Sequence, residues 1–343
     1  MKLGIVQQEL EKSKLGGILV LNAGAIDPNL FYLTGFEVER GCLLITPKKA
    51  TLFVGKLELW RAREESRIDD VREMPKLDEL ARHVQGRVGL NLDVVSASVA
   101  AKLKKSTMKL ADASKMFASL REVKTDEEIG RMRRACAISD DIIEECIAEF
   151  GTFKTEGDAK RYLHKAAIDR GCDLSFPTIV GSGRNAALPH YSGAEKLRTG
   201  FCVIDFGVKY KGYCSDTTRT IYYGSPTQKE KLLYETLLKC QTATLSRVQP
   251  KTTMEELERF CRKYLGPLEK KFIHRLGHSV GIEVHDPLEK TTALRESMVV
   301  TVEPGIYMKG SYGMRIEDTV LVTKTGCKQL TKVSKELVLV RGA

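Results

Sequence analysis

The sequence lacks the marks of a secreted or membrane protein. Its nine cysteines form no Cys-x-x-Cys pair, and their odd number does not suit a disulfide framework, so we expect reduced thiols. The opening MKLGIVQQELEKSK has Gln, Glu and Lys where a signal peptide has an apolar stretch, and the longest aliphatic run, at 17–21, is far shorter than a membrane span. We therefore expect a cytoplasmic protein with no membrane partner.

Motifs of several large enzyme classes are also missing. The sequence contains no H-E-x-x-H, G-x-S-x-G or Walker A segment, so it lacks the residues that define those hydrolases and NTPases. The net charge of +10 is spread evenly, because residues 1–124 carry 21 basic against 16 acidic side chains and the remainder carries 34 against 29. Without a basic block or an interleaved aromatic and basic surface, nucleic acid is not an expected partner.

Length and composition suit a globular protein of two domains. The 343 residues are 42% hydrophobic and 29% charged, which is enough to build a sizeable core. In residues 1–120, the short apolar runs GGILVLN, CLLITP, ATLFVG and RVGLNLD alternate with charged segments. This alternation predicts an α/β domain, and a second domain is expected over residues 121–343.

Helix signals open the second domain. Thr125 and Glu128 have the spacing of a capping box, which predicts the start of a long amphipathic helix. Thr253 and Glu256 have the same spacing after a proline. Further helices are expected at about 156–170, 227–247 and 253–264.

Two acidic residues interrupt an apolar pattern in FCVIDFGVKYKGYCSDTTRTIYY. Asp205 lies in a run that should be a buried strand, and Asp216 lies in the run that follows. If Lys209–Gly212 form the turn, the two acids lie directly opposite each other in an antiparallel hairpin and share a face. Two carboxylates that close repel each other unless they are protonated or bridged by a cation.

The same arrangement recurs in MVVTVEPGIYMKGSYGMRIEDTVLVT. Glu303 and Glu317 are symmetric about Gly310, so a hairpin that turns there places both acids on one face. Pro304 cannot donate in a strand ladder, which predicts a bulge or a strand end beside Glu303 and leaves a register slip of one residue open. A single acid in such a strand is ordinarily a structural group, but two hairpins with symmetric acid pairs favour a site.

Four clustered carboxylates need about four positive charges, which two divalent ions supply. RLGHSVGIEVHD adds His278 and His285 as candidate neutral nitrogen ligands. Carboxylate oxygens with an imidazole suit Mn²⁺, Co²⁺, Fe²⁺ or Zn²⁺, and two such ions together can activate water and polarise a carbonyl. Because the two histidines are seven residues apart, Gly277 and Gly281 must allow a bend if both rings reach one site. Hydrolysis is the reaction that this set of residues predicts.

At this point the sequence resembles a known family. Asp205 and Asp216 in DFGVKYKGYCSDTTRT, His278 in GHSVGIEVH, Glu303 in VEPGIY and Glu317 in MRIED resemble, in order and spacing, the five metal ligands of the pita-bread metallopeptidases. That family includes methionine aminopeptidase, aminopeptidase P, prolidase and creatinase. NLFYLTGFE and REVKTDEEI, which lie before this region, are similar to the additional N-terminal domain of the prolidase, aminopeptidase P and creatinase branch.

The resemblance implies roles for further residues. His190, in FPTIVGSGRNAALPHY, matches a histidine that contacts substrate, and His285 matches one that helps stabilise the tetrahedral intermediate. Glu303 is implied both as a ligand and as the proton relay, and Arg315 matches an arginine beside the last ligand. Ser279 departs from the family, which usually has Gly there, but this change removes no ligand.

The fold class implied is a mixed α/β (α+β) protein, with a creatinase/prolidase-like α/β domain over residues 1–120 and a pita-bread catalytic domain over 121–343. The implied function is a dinuclear metal-dependent exopeptidase acting on the Xaa-Pro bond of small peptides, with Mn²⁺ or Co²⁺ as the first choice of ion. A prolidase is favoured, and an aminopeptidase P acting on longer peptides is the alternative. A non-catalytic binding protein with the same fold is a further alternative, although such relatives generally lose ligands. A homodimer is the family expectation.

Overall fold

The computed structural model describes residues 2–106 and 108–341. The chain divides into two compact units, Met1–Leu120 and Arg121–Ala343. Each unit has its own sheets, and each is described by itself.

The first unit is built on one six-stranded mixed sheet. Its strands are β1 (Gly17–Asn22), β2 (Gly41–Ile45), β3 (Ala50–Val54), β4 (Asp70–Glu73), β5 (Arg87–Leu90) and β6 (Lys109–Asp112). The strand order is β4-β3-β2-β1-β5-β6, with β1, β2 and β3 joined antiparallel and the remaining pairs parallel. Every residue of β1 and β2 is buried, as the continuous apolar runs there predict.

Helices and a short 3₁₀ segment complete this unit. They are α1 (Lys2–Ser13), α2 (Pro28–Thr34), α3 (Leu59–Glu65), the 3₁₀ helix Leu77–His83, α4 (Ala97–Lys105) and α5 (Ser114–Glu122), which runs past the unit boundary. The bounds of α2 follow from its local chemistry. Asp27 caps it by accepting from the Asn29 N–H, Pro28 lies in the first turn, and Gly35 ends it in the left-handed region at φ 68°.

Four α-helices belong to the second unit, and capping boxes start all four. They are α6 (Asp126–Glu149), α7 (Glu156–Asp169), α8 (Gln228–Leu245) and α9 (Met254–Leu265), and short 3₁₀ helices lie at Phe150–Thr152, Gly183–Ala187 and Gly266–Lys271. The predicted capping boxes of Thr125 and Thr253 are confirmed. Thr155 and Thr227 form two more that sequence reasoning did not single out.

The strands of the second unit are mostly antiparallel. They are β7 (Asp173–Leu174), β8 (Ile179–Ser182), β9 (Gly200–Phe206), β10 (Val208–Tyr210), β11 (Tyr213–Cys214), β12 (Thr217–Tyr223), β13 (Val299–Val302), β14 (Gly305–Met308), β15 (Tyr312–Arg315), β16 (Asp318–Val322), β17 (Cys327–Gln329) and β18 (Leu339–Val340). They form the sheets β18-β12-β9-β8, β11-β10-β7, β13-β16-β17 and β14-β15.

The described residues of this unit form two apolar cores. In one, residues of α6 and α7 pack with residues of β8, β9 and β12. In the other, residues of α8 and α9 pack with residues of β13, β14, β15 and β16. Each core thus joins one helix pair to strands that carry or flank the predicted acidic residues.

Within the described ranges, no helix combines the length and the apolar character needed to cross a bilayer.

Candidate metal centre

Asp205 lies in β9 and Asp216 immediately precedes β12, and the two are not directly opposite each other. Asp205 pairs with Thr218 of β12, which shifts the register by two residues from the predicted one. The reason is the turn, because Tyr210 pairs with Tyr213 and only two residues connect them. These two, Lys211 and Gly212, have φ values of 46° and 81°, as a type I′ turn requires.

Glu303 and Glu317 have the register that the sequence predicts. Val302 pairs with Asp318 on one side of them, and Gly305 pairs with Arg315 on the other, so both ladders are symmetric about Gly310. The strand ends at Glu303 and Pro304, between β13 and β14, as a proline without an N–H requires. The register slip that this proline left open does not occur.

His278 meets carboxylates from both hairpins. Its Nε2 lies 3.5 Å from Asp216 Oδ2 and 3.3 Å from Glu303 Oε1. Its Nδ1 lies 3.2 Å from the Ser279 carbonyl oxygen, and a proton donated there leaves the Nε2 lone pair facing the carboxylates. Ligand atoms of Asp216, His278 and Glu317 all lie within 4.8 Å of one another, which is the spacing of a metal site.

Arg315 ties the remaining acid into this group. Its Nη2 donates to Asp205 Oδ2 over 2.5 Å, and its Nε donates to Thr218 Oγ1 over 3.0 Å. The Thr218 hydroxyl in turn donates to Glu317 Oε2 over 2.8 Å. All five predicted ligand positions are therefore linked to one another by direct contacts or through Arg315 and Thr218.

Sequence reasoning missed two polar side chains of this site, Tyr307 and His274. The Tyr307 hydroxyl accepts from Arg315 Nη1 at 2.7 Å and lies 3.0 Å from His274 Nε2. A signal for Tyr307 exists in the hairpin register, where glycine stands opposite each large polar residue. Tyr307 pairs with Gly313 and Arg315 pairs with Gly305, so each bulky side chain has room on the same face as the acids.

The four acids fall into two groups by the direction in which their pKa is shifted. Burial, and then the neighbouring carboxylates, raise the pKa of Asp216 and of Glu317 well above the usual range. Burial also raises the pKa of Asp205 against the opposing charge of Arg315. At Glu303 burial opposes ionisation too, but the hydrogen bond and charge of His278 outweigh it and lower the pKa. Burial, with neighbouring negative charge, therefore disfavours ionisation of three of the four acids.

Two buried carboxylate oxygens show where a cation fits. Asp205 Oδ1 and Glu317 Oε1 are shielded from solvent and have no hydrogen-bond partner among the described residues. An unpaired buried carboxylate oxygen is costly unless a cation or a donor meets it. The donor set of four carboxylates and one imidazole suits a hard or borderline divalent ion. The residues present therefore fit a divalent metal.

Of the other two predicted histidines, His285 lies directly against His278, and His190 lies on the exposed loop that follows β8. The ring of His285 lies edge to face against that of His278, with centroids 4.1 Å apart. Burial, followed by the charge of His278, lowers the pKa of His285. His190 is exposed in the turn after the 3₁₀ helix Gly183–Ala187, and its charge acts on His285 and on His274.

A cluster of buried ion pairs holds the loop that carries His278 and His285. The carboxylate of Asp286 pairs with Arg121 Nη2 and, over 3.4 Å, with Lys124 Nζ, and both cationic side chains are buried. Lys124 Nζ also donates to Ser279 Oγ over 3.1 Å. The bend expected at Gly281 is present, and a Cβ there would lie 2.0 Å from Asp286 Oδ2. The Ser279 hydroxyl thus accepts a hydrogen bond from the buried Lys124, and this contact helps to hold the loop in place.

Comparisons with known proteins agree with this geometry. Residues 130–324 match the model of metallopeptidase family M24, and residues 3–123 match the creatinase/prolidase N-terminal domain. The chain is 35% identical over 342 residues to the Xaa-Pro dipeptidase of Pyrococcus horikoshii, covering 96% of each chain.

Solved structures give the same result. The prolidase from Pyrococcus horikoshii OT3 superposes with a TM-score of 0.91 at 34% identity and covers 98% of this chain and 99% of that one. An X-Pro aminopeptidase from Thermotoga maritima also has a TM-score of 0.91, at 27% identity over 98% of this chain and 99% of that one. The expected architecture, a creatinase/prolidase-like domain followed by a pita-bread catalytic domain, is confirmed, and the chain belongs to metallopeptidase family M24.

Proposed function

We propose that this protein is a Xaa-Pro dipeptidase that hydrolyses the bond before proline in dipeptides. The observation that carries the proposal is the convergence of Asp216, His278 and Glu317 within 4.8 Å, at the centre of a fold shared with dipeptidases of this type. The Pyrococcus horikoshii relative that bears the name Xaa-Pro dipeptidase spans the same length as this chain.

The proposed ligands are Asp205, Asp216, His278, Glu303 and Glu317, which together would hold two divalent ions. Two features support the binding of more than one cation. They are the repulsion among the buried carboxylates and the unpaired oxygens of Asp205 and Glu317. Mn²⁺ or Co²⁺ suits this donor set best, and Zn²⁺ or Fe²⁺ is also compatible. When bound, such ions supply Lewis-acid polarisation of the scissile carbonyl and a nucleophile derived from water.

Three side chains are proposed to carry out the remaining steps of the reaction, those of Glu303, His285 and His190. Glu303, whose pKa is lowered by the hydrogen bond and charge of His278 against the effect of burial, is a carboxylate at neutral pH. It can therefore take a proton from the attacking water and pass it to the leaving imino nitrogen of proline. His285, whose pKa is lowered by burial and by the charge of His278, is a neutral donor for the developing oxyanion. His190 would bind the peptide from its exposed turn.

Arg315 is proposed to hold the acids rather than to react. It is buried, and it bridges Asp205, Thr218 and Tyr307 through three hydrogen bonds. Its contact with Asp205 compensates part of the negative charge at the centre and fixes one Asp205 oxygen, which leaves the other oxygen free to meet a cation.

An aminopeptidase acting on longer peptides is the second candidate, and one observation favours it. The Thermotoga maritima X-Pro aminopeptidase has the same TM-score, 0.91, as the Pyrococcus prolidase, although its identity is lower. Turnover of a Xaa-Pro dipeptide should be compared with that of the matching Xaa-Pro-Yaa tripeptide, with Mn²⁺ and with Co²⁺. Faster hydrolysis of the tripeptide would move the assignment to the aminopeptidase.

Specificity for proline is tested separately, with Met-Pro and Met-Ala. Because the proline imide has no N–H, a site shaped for the ring should turn over Met-Pro faster. Equal rates would contradict the Xaa-Pro assignment, but the protein would still be a peptidase. No turnover of any peptide, with metal bound, would favour a binding protein that keeps the fold.

Assembly and location complete the proposal. We expect a homodimer, which the mass in solution measured by light scattering would test. A cytoplasmic location is supported by the nine cysteines, all of them described and all free thiols. Fractionation of the source cells would test it.

A further inference from the structure

Glu156 is a charged residue that the proposed chemistry does not use. It is the first residue of α7, and its side chain is completely buried. Oε1 accepts from the Ser182 N–H and hydroxyl, both at 2.8 Å, and from Asn185 Nδ2 at 3.0 Å. Oε2 accepts from the Tyr191 hydroxyl at 2.7 Å and from the Glu195 N–H at 3.0 Å. Every one of these donors lies in the segment 182–195.

This carboxylate therefore organises one continuous loop. A buried carboxylate is tolerated when donors satisfy both oxygens, so the loop and the helix start depend on each other. Two further hydrogen bonds close the loop against the same helix, because the Glu156 N–H donates to the Glu195 carbonyl and Lys160 Nζ donates to the Gly193 carbonyl.

The loop also packs against a strand that leads to the site. A Cβ at Gly313 of β15 would lie 2.0 Å from the Ala186 carbonyl oxygen, so the strand that ends in Arg315 packs directly on the loop. Burial lowers the pKa of His285 and of His274, and His190, which is exposed within the loop, adds a smaller contribution in the same direction. The neighbour of His190 along the chain, Tyr191, is buried, with its hydroxyl on Glu156.

We propose that Glu156 is a positioning residue that holds His190 toward the site through the hydroxyl of Tyr191. The Tyr191 hydrogen bond fixes the backbone one residue from His190, whose own side chain is exposed and has no hydrogen bond to the part of the chain that the structure describes. The loop then enters the site in one conformation, and the imidazole is ordered before substrate binds. The part of this inference that concerns turnover rests on the proposed function, whereas the part that concerns the position of His190 does not.

The chain offers a sensitive variant and a matched control. Tyr191→Phe removes only the hydroxyl, which donates to Glu156 Oε2 and also accepts from Asn185 Nδ2 over 3.0 Å. Tyr222→Phe removes a chemically similar hydrogen bond, from a buried tyrosine to Glu230 Oε1 at 2.9 Å in the capping box of α8. A loss of kcat/KM that is specific to the loop should appear in Tyr191→Phe and be absent from Tyr222→Phe.

The first experiment is a double-mutant cycle of Tyr191→Phe with His190→Ala on the metal-loaded enzyme, read as kcat/KM for a Xaa-Pro dipeptide together with metal content. We expect Tyr191→Phe to lower kcat/KM about tenfold through a higher KM, within the roughly 10²-fold that misplacing a positioning group can cost. Metal content should not change. In the His190→Ala background the same substitution should have almost no further effect, because the residue that it positions is gone. Equal losses in both backgrounds, or no loss in either, would overturn the proposal.

The second experiment needs no turnover. Histidine-selective ¹³C labelling of the Zn²⁺-loaded protein gives imidazole NMR signals, and the His190 signal is assigned by its disappearance in His190→Ala. Tyr191→Phe should shift or broaden this signal, and Tyr222→Phe should leave it in place. An unmoved signal would refute the anchoring role. If the wild type hydrolyses no peptide while the signal still responds, the proposed function fails and the anchoring role stands.

Discussion

The imidazole rings of His278 and His285 lie edge to face, 4.1 Å apart, although six residues separate them along the chain. Only His278 also meets carboxylates, since its Nε2 lies 3.5 Å from Asp216 and 3.3 Å from Glu303. We therefore propose different roles for the two histidines of this motif, His278 as a metal ligand and His285 as a donor toward the substrate.

Alanine substitutions separate these roles. His278→Ala should reduce bound metal, because the centre loses its only proposed imidazole ligand. His285→Ala should keep its metal but lose kcat, since removing one donor to a developing oxyanion typically costs roughly 10² to 10³ in rate. Metal analysis of the purified variants, alongside dipeptide kinetics, measures both. Metal loss in His285→Ala with full occupancy in His278→Ala would show that the roles are reversed.

Chelation should lower the melting temperature of the protein. Burial and mutual repulsion raise the pKa of Asp216 and Glu317, so the metal-free centre is strained and bound ions relieve the repulsion. Binding to the folded state alone stabilises it by roughly 2.7 kcal/mol at a ligand concentration a hundred times Kd. Calorimetry of EDTA-stripped protein and of protein reloaded with Mn²⁺ or Co²⁺ tests this. Identical melting temperatures would argue against the metal centre.

The strongly patterned parts of the fold are predictable from the sequence. The capping box of Thr125 and the apolar periodicity after it predict α6, and the apolar run GILVLN predicts β1. The edge strands β4 and β6 are different, because β4 buries only Val71 and no residue of β6 is fully buried. Such strands form because a neighbouring strand pairs with them, and their own residues carry little signal.

The site residues also differ in whether the sequence predicts their positions. The spacing of Glu303 and Glu317 about Gly310 predicts their register, because period 2 and a single turn determine it. For Asp205 and Asp216 the register depends on turn length, and a two-residue turn with Lys211 at positive φ shifts it. Glu156, by contrast, finds its partners 26 to 39 residues away, and no local pattern encodes contacts at that distance.

Gly281 and Gly130 should respond in opposite directions to alanine. A Cβ at Gly281 would lie 2.0 Å from Asp286 Oδ2, and Asp286 is held by Arg121 and Lys124. We expect Gly281→Ala to destabilise the protein by about 1 to 3 kcal/mol, as overpacking of a filled site does. Gly130 lies on the exposed face of α6 with nothing near its Cβ position, so Gly130→Ala should stabilise by up to about 1 kcal/mol. Thermal unfolding midpoints measure both, and a tolerated Gly281→Ala would mean that the ionic cluster is free to move.

Asp140 should make stability fall as pH rises. It is buried in α6, its Oδ2 accepts from the Lys332 N–H at 2.6 Å, and burial raises its pKa from 3.8 to about 6. Between these two values the unfolded chain has released the proton that the folded protein still holds. Folding therefore loses free energy through this window, and the loss levels off above about pH 6.

The variant Asp140→Asn removes this titration. Relative to the wild type, its free energy of unfolding should increase between pH 4 and pH 7 by up to roughly 3 kcal/mol, the equivalent of the raised pKa. Asp141→Asn, at the exposed neighbouring position, controls for the loss of one negative charge. Urea unfolding of the three proteins at several pH values gives the differences directly. A difference between Asp140→Asn and the wild type that stays constant across this range would mean that the folded protein holds Asp140 ionised, with the Lys332 N–H and the surrounding charges sufficient to offset its burial.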